Sequence, residues 1–221
     1  DRNGVDNVIS AGDGHNTVIS GNGHDIITTG SGNDWVNAGT GADTVNLGTG
    51  NDLFVIDKAY VNDGLADVVN GGQGYDAIVF DGAGISLDLS QGRFGNTAFG
   101  SFERIDITGS GDNTLMLNVN DVLQVTDQIM TQAMMFIVDG NAGDTFKRIG
   151  NYFGTPDDAA GTAIWVDLNA DGVNNSGDFS GVADLNGQVT FNGAAGLQTY
   201  TVYQNNTYFG TLLIDADIQM T

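Results

Sequence analysis

Four consecutive stretches, SGNGHDIIT (20–28), TGSGNDWVN (29–37), AGTGADTVN (38–46) and LGTGNDLFV (47–55), are near-copies of one nine-residue unit. Two looser copies precede them, RNGVDNVI (2–9) and AGDGHNTVI (11–19). The Asp of each unit, once an Asn, falls at Asp6, Asn16, Asp25, Asp34, Asp43 and Asp52, in one step of ten and then steps of nine. An apolar residue follows two positions later each time: Val8, Val18, Ile27, Val36, Val45 and Phe54. A flexible Gly-rich tract would not hold both positions in register.

Elementary geometry gives each position a role. The Gly-rich half of the unit turns sharply, because glycine tolerates positive φ and lets another backbone lie close. The last three residues form a very short strand whose middle side chain points inward. Two units make one coil, so equivalent loops recur every eighteen residues, with coils about 4.8 Å apart. Two columns of acidic side chains result: Asp6, Asp25, Asp43 on one edge and Asn16, Asp34, Asp52 on the other. Such columns repel themselves unless a hard, oxygen-seeking cation lies between neighbours. Loop carbonyls of Gly21, Gly23, Gly30, Gly32, Gly39, Gly41, Gly48 and Gly50 are the candidates to complete the six to eight oxygens that Ca²⁺ takes. The stacking gives about four such sites in residues 1–55. One inward apolar residue per nine cannot offset the entropy of ordering this much glycine, so folding and metal binding are expected to be a single event.

Composition narrows the function classes. The 221 residues carry 28 acidic against 6 basic side chains, a formal charge of −22. No basic patch exists to meet phosphates, which argues against a nucleic-acid partner. Divalent cations account for the charge better than disorder does, given 40% hydrophobic residues and regular repeats. There is no cysteine, so in an extracellular setting stability would come from metal in place of disulfides. No run is apolar for long enough to span a membrane. The chain opens inside a repeat, at Asp1-Arg2-Asn3-Gly4, so a longer protein is expected around it, and the piece is expected to be monomeric.

Past the repeats the register breaks at 56–66, IDKAYVNDGLA, read as a loop bulging from one edge, and then resumes. Asp67 with Val69, and Asp76 with Ile78 in GGQGYDAIV (71–79), read as two further units. Residues 78–80, 85–89 and 103–107 read as strands between Gly-rich turns, and TGSGDNTLM (108–116) as a degenerate unit with Asn113 in the Asp position. The neutral Asn side chains at 16 and 113 predict weak metal sites or none. Residues 119–135 read either as a helix capped by Asn120 or as a strand pair. FIVDGNAGDTF reads as strand, turn, strand, and Met130, Met134 and Met135 as core filler. From 160 onward, apolar runs parted by Gly, Asn and Asp indicate a β-rich module, with a hairpin around Gln204-Asn205-Asn206.

That module holds a second calcium signal. Asp167, Asn169, Asp171, Gly172, Val173, Asn175 and Asp178 fit the loop D-x-[DN]-x-[DN]-G-x₅-E, with Asp for Glu at the end. Gly172 allows the sharp turn, Val173 offers its carbonyl, and Asp178 closes the shell. Strand-like flanks replace the two helices of an EF-hand. The fold class expected is all-β: a parallel β-roll over 1–118 with the 56–66 insertion, then a β-rich C-terminal capping module over 119–221 containing the EF-hand-like loop at 167–178.

The nonapeptide resembles the hemolysin-type (RTX) calcium-binding repeat, Gly-Gly-x-Gly-x-Asp-x-apolar-x. Followed by SFERIDITGSGDNTLMLNVNDVLQVTD, FIVDGNAGDTF and a Tyr-rich terminal hairpin, it resembles the C-terminal region of giant RTX adhesins, a family that includes ice adhesins. The resemblance implies export by a type I secretion apparatus, unfolded in low-calcium cytosol, with folding outside the cell or at its surface. It also implies Asp6, Asp25, Asp34, Asp43, Asp52 and Asp76 as ligands, with Asp67 lacking the usual glycines. RTX tails also accompany enzymes, but H-E-x-x-H and G-x-S-x-G are both absent, and His15 and His24 occupy a solvent-facing loop position. The reading is therefore a non-catalytic calcium-binding module. The alternative is a module that binds ice, sugar or peptide.

Overall fold

A computed structural model of the chain describes residues 4–89, 98–117, 125, 134–148, 164–167, 197–204, 207–215 and 219–220. The described residues are almost entirely strands. In chain order these are β1 (Val8–Ser10), β2 (Thr17–Ile19), β3 (Ile26–Thr28), β4 (Trp35–Asn37), β5 (Thr44–Asn46) and β6 (Leu53–Ile56). A short helix α1 (Lys58–Asn62) follows, then β7 (Val68–Asn70), β8 (Ala77–Phe80), β9 (Ser86–Asp88), β10 (Phe99–Gly100), β11 (Arg104–Asp106) and β12 (Thr114–Leu117). The last are β13 (Met134–Asp139), β14 (Thr145–Arg148), β15 (Ile164–Asp167), β16 (Leu197–Gln204), β17 (Thr207–Asp215) and β18 (Gln219–Met220).

Odd and even strands of the first coils fall on opposite faces. One sheet runs β1-β3-β5-β7-β10 and the other runs from β2 through β4, β6, β8, β11 and β13 to β17, β16 and β15. All pairings are parallel except β15 with β16 and β16 with β17. This is the parallel β-roll expected from the period. After β8 the coil widens. A third sheet, β9-β12-β14-β18, opens alongside, and the register step grows from eighteen residues (Trp35 to Leu53) to twenty-seven (Ala77 to Arg104). Both ladders run on past residue 118, where the sequence suggests that the second module begins. The antiparallel β16–β17 pair matches the expected hairpin, whose turn lies outside the described residues.

Three expectations need correcting. The first concerns the opening unit. Val8 lies opposite Ile26 and is 82% exposed, whereas Ile9 lies opposite Ile27 and packs against the core. The side-chain period of a strand is two, so this one-residue shift exchanges the faces. Asn7, not Asp6, therefore stands beside Asp25, and every step from Asn7 to Asp52 is nine. The second concerns the 56–66 insertion, which is not a bulging loop. Asp57 caps α1 through Tyr60 N–H (2.8 Å), and Tyr60 and Val61 are buried. The Tyr60 ring meets that of Phe54 edge-on at 5.6 Å.

The third concerns the core, which takes two inward columns, not one. From the third unit on, the residue opening each unit is buried as well: Ser20, Thr29, Ala38 and Leu47, then Ile56. Where it is a hydroxyl it bonds across the coil, Ser20 Oγ to the Ala38 carbonyl (2.8 Å) and Thr29 Oγ1 to the Leu47 carbonyl (2.5 Å). From Phe54 onward the interior becomes aromatic, with Phe99 6.2 Å from Phe54 and 6.3 Å from Phe102.

Candidate metal centre

The acidic columns are ladders. Asp25 Oδ1 accepts the backbone N–H of Asn7 (2.7 Å), Asp43 Oδ1 that of Asp25 (2.8 Å), and Asp67 Oδ1 that of Asp43 (2.7 Å). On the other edge Asp34 accepts from Asn16 (2.7 Å), Asp52 from Asp34 (2.7 Å) and Asp76 from Asp52 (2.8 Å). Each rung thus holds the amide of the coil before it. All six Asp side chains are buried, none more than 2% exposed. Asp67 takes its place although its loop, GLAD, lacks the glycines of the other units.

The second oxygen distinguishes these rungs. Oδ2 of Asp25, Asp34, Asp43, Asp52 and Asp76 is buried with no hydrogen-bond partner in the protein. A buried carboxylate oxygen without a partner is costly, and a row of them is more so. Burial pushes the Asp43 carboxyl up to about 7, aided by the charges of Asp67, Asp25 and Asp63 and opposed by the Asp25 amide. Burial likewise pushes Asp76 up to about 7, with the Asp52 amide opposing and Asp52 and Glu103 adding to it. Asp52 is raised for the same leading reason. These orphaned oxygens fit a hard divalent cation. Among the described residues no three carboxylates or imidazoles gather about one point, so backbone carbonyls must supply the rest of any shell.

Carbonyls are available because glycine brings the loops together. A Cβ on Gly39 or Gly41 would overlap the carbonyl oxygen of Gly21 or Gly23 in the coil before, and Gly48 and Gly50 stand likewise over Gly30 and Gly32. The carbonyls of Gly21, Gly30 and Gly48 each accept one amide, from Thr40, Thr49 and Gln73, and keep a second lone pair. The loop tips are laddered too. The exposed His15 and His24 accept the amides of Asn33 (3.0 Å) and Ala42 (2.8 Å) through Nδ1, and the exposed Asp6 accepts that of His24 (2.8 Å).

Asn rungs behave differently. Asn16 Nδ2 donates to the carbonyls of Gly12 (2.9 Å) and Gly14 (3.1 Å), and Asn7 Nδ2 to that of Val5 (2.7 Å). In the third sheet Asn113 accepts the amide of Ile85 (2.9 Å) and donates to the carbonyls of Gly82 (3.2 Å) and Ile107 (3.0 Å). Asp144 beyond it has both oxygens engaged, by the amides of Asn113 and Asn141 (2.8 Å each). A carboxamide thus offers protons to the loop carbonyls, and the Asn113–Asp144 pair leaves no side-chain oxygen orphaned. Asn7 escapes a reading anchored on Asp, yet counting back nine from Asn16 reaches it.

A comparison with protein-family models matches residues 6–27 and 19–54 to the RTX calcium-binding nonapeptide repeat, in four copies. These coils are RTX repeats. RTX repeats bind calcium, several ions to the region, as a structural domain, and they occur in secreted bacterial proteins. No curated protein and no solved structure matches the chain. Of the second calcium signal, Asp167 is the last residue of β15, and Asn169, Asp171, Val173, Asn175 and Asp178 lie outside the described residues.

Two outcomes follow. Asn16→Asp replaces the carboxamide with an orphaned carboxylate beside Asp34, so the variant should take up one more calcium per chain, counted by native mass spectrometry. The pH dependence has a definite sign. In the metal-free roll Asp43 and Asp76 hold protons up to about pH 7, against 3.8 for an ordinary Asp. Between those values the folded chain binds more protons than the unfolded one, so metal-free stability is present in acid and is lost as pH rises through about 7. In chelator, circular dichroism should report more roll at pH 5 than at pH 8. Calcium must displace these protons, so its half-saturating concentration should rise below pH 7, by up to about tenfold per pH unit for each proton released.

Proposed function

We propose that this chain is a non-catalytic, calcium-folded module of a large type I-secreted bacterial surface adhesin, with its coils serving as a rigid extracellular element. The observation that carries the reading is the row of buried, unpartnered Asp oxygens. A chain of charge −22 that buries such a row is unfavourable without cation and rigid with it. That difference suits export as an unfolded chain from low-calcium cytosol through the secretion apparatus, followed by folding outside.

The ligands we assign are Asp25, Asp34, Asp43, Asp52, Asp67 and Asp76 with the loop carbonyls, leaving the Asn16 and Asn113 rungs metal-free. When bound, calcium supplies the positive charge that the two columns lack. The chain's own part is to hold one oxygen of each Asp on an amide and, at Asp25, Asp34, Asp43, Asp52 and Asp76, keep the other dry. We take the β-rich part beyond 118 as a capping module, with its own calcium in the 167–178 loop, and the isolated chain as a monomer. Among the described residues no helix is long and apolar enough to cross a membrane.

A calcium titration followed by circular dichroism and calorimetry tests this, with wild type beside Asp34→Ala and Asp171→Ala. Asp34 touches a coil on either side, so its loss should raise the calcium needed to form the roll, whereas Asp171→Ala should leave the roll and loosen only the C-terminal part. A wild type with the same spectrum and melting temperature in chelator would remove the calcium-folding role.

One observation favours a second reading. On the outer face of the five-stranded sheet, Val8, Ile26, Thr44 and Val68 stand in register, and Val8, Ile26 and Val68 are 82%, 52% and 52% exposed. An apolar row in solvent is a feature of binding faces. Thermal hysteresis, or capture on a sugar or peptide array that depends on calcium and disappears in Ile26→Lys, would make the roll a ligand-binding face; no hysteresis and no capture would leave the scaffold reading alone.

A further inference from the structure

The chain has one glutamate among its 28 acidic residues, Glu103, and it occupies a rung of the acidic ladder. Glu103 Oε2 accepts the backbone N–H of Asp76 at 2.8 Å, as Asp76 Oδ1 accepts that of Asp52 at 2.8 Å. The strand register agrees. Arg104 pairs with Ala77 and Ile105 with Ile78, which sets Glu103 opposite Asp76. Two residues later Ile105 is fully buried, the inward position of every unit.

The residue two places before the acid agrees as well. In the repeats it is a glycine with positive φ: Gly32 (116°), Gly50 (140°), Gly74 (145°). Here it is Ser101, at φ 60°, the one non-glycine at positive φ among the described residues. The left-handed backbone costs a serine free energy, so the loop geometry is imposed by the ladder and not by the residue. Ser101-Phe102-Glu103-Arg104-Ile105 therefore takes the ladder position that Gly74-Tyr75-Asp76-Ala77-Ile78 holds one coil earlier, though not its sequence. Its burial differs: Ser101 and Phe102 turn into the core, where Gly74 and Tyr75 are exposed, and Glu103 and Arg104 are half-buried, where Asp76 and Ala77 are buried.

Between these two rungs lies an oxygen with no partner. Asp76 is fully buried, and its Oδ2 has no hydrogen bond in the protein. That oxygen and the Ser101 carbonyl both crowd the point where a side chain on Gly71 would begin, 2.8 Å from it in the case of Asp76 Oδ2. The buried oxygen thus faces the segment that leads into Glu103.

We propose that Glu103 is a calcium ligand, closing a site with Asp76 Oδ2 and the Ser101 carbonyl at the turn where the two-sheet roll passes into the wider coil. The site rests on the calcium reading above and adds an ion outside the stretch matched to RTX repeats. Its position sets it apart from the sites within the roll. It ties the repeat region to the coils that follow, so the roll cannot fill completely without ordering the junction.

The test is an ion count. Glu103→Gln keeps an oxygen for the Asp76 amide and removes the charge, so the fold is kept and one calcium per chain should be lost by native mass spectrometry, with Glu103→Asp retaining the wild-type count at weaker affinity. Equal counts in wild type and Glu103→Gln overturn the proposal; a wild type that takes no calcium overturns the calcium reading itself. If Glu103→Gln does not fold, the wild type answers alone. With [δ-¹³C]glutamate it shows a single side-chain carboxyl resonance. Replacing Ca²⁺ by diamagnetic La³⁺ in the folded protein should move that resonance if Glu103 is a ligand; an unmoved resonance rules it out.

Discussion

Everything in the first coils turns on a carboxylate whose two oxygens do different things. One oxygen of each buried Asp accepts an amide from the coil before it, which fixes the vertical register. At Asp25, Asp34, Asp43, Asp52 and Asp76 the other is left dry and unpartnered, which makes the register unfavourable on its own. The same side chain thus specifies the register and leaves a buried oxygen that a cation can satisfy. Glycine is required for the same reason. Only a loop without side chains lets the Gly21 and Gly39 backbones approach so closely that their carbonyls can share an ion.

At Asn113 and Asp144 the same ladder leaves no side-chain oxygen orphaned. At Asn113 the carboxamide donates to two carbonyls, and Asp144 uses both oxygens on amides. The interior changes in step. Ser20 and Thr29 give way to Ala38, Leu47 and Ile56 in the same inward column, and Phe54, Tyr60, Phe99 and Phe102 then cluster. A larger apolar core stabilises a coil directly, so the wider coils depend less on a cation for their stability. The apolar gradient runs along the chain, from a thin core in the first coils to a packed aromatic one in the later coils.

Much of this is legible in the residues. A period of nine with Asp and an apolar residue in register specifies strand, turn and stacking together, so the roll and the rungs at Asp25, Asp34, Asp43, Asp52 and Asp76 follow from the sequence. The misreadings share one physical cause: a motif names its most conspicuous residue, while the fold answers to side-chain period and burial. Asp6 looks like the rung because it is acidic, but Ile9 buries better than Val8, and Asn7 follows from that. The 56–66 stretch looks like a loop because it breaks the period, yet a Tyr-Val pair in the first turn of a capped helix is a core signal. The second inward column is hidden because Ser20, Thr29, Ala38 and Leu47 share a position and not a chemistry.

Tyr60 shows how an interruption can serve the ladder it breaks. Burial holds its phenol in the neutral form, with the hydroxyl beside Asp67. The insertion lengthens the step between Asp43 and Asp67 to twenty-four residues, yet the amide of Asp43 still meets Asp67 Oδ1 at 2.7 Å. The same lengthening applies on the other edge, between Asp52 and Asp76, which meet at 2.8 Å. One helix therefore resets both columns at once, because each coil contributes one rung to each. Extra residues are tolerated wherever the next rung can return to its amide, and the constraint that the chain obeys is the vertical hydrogen bond and not the count of nine.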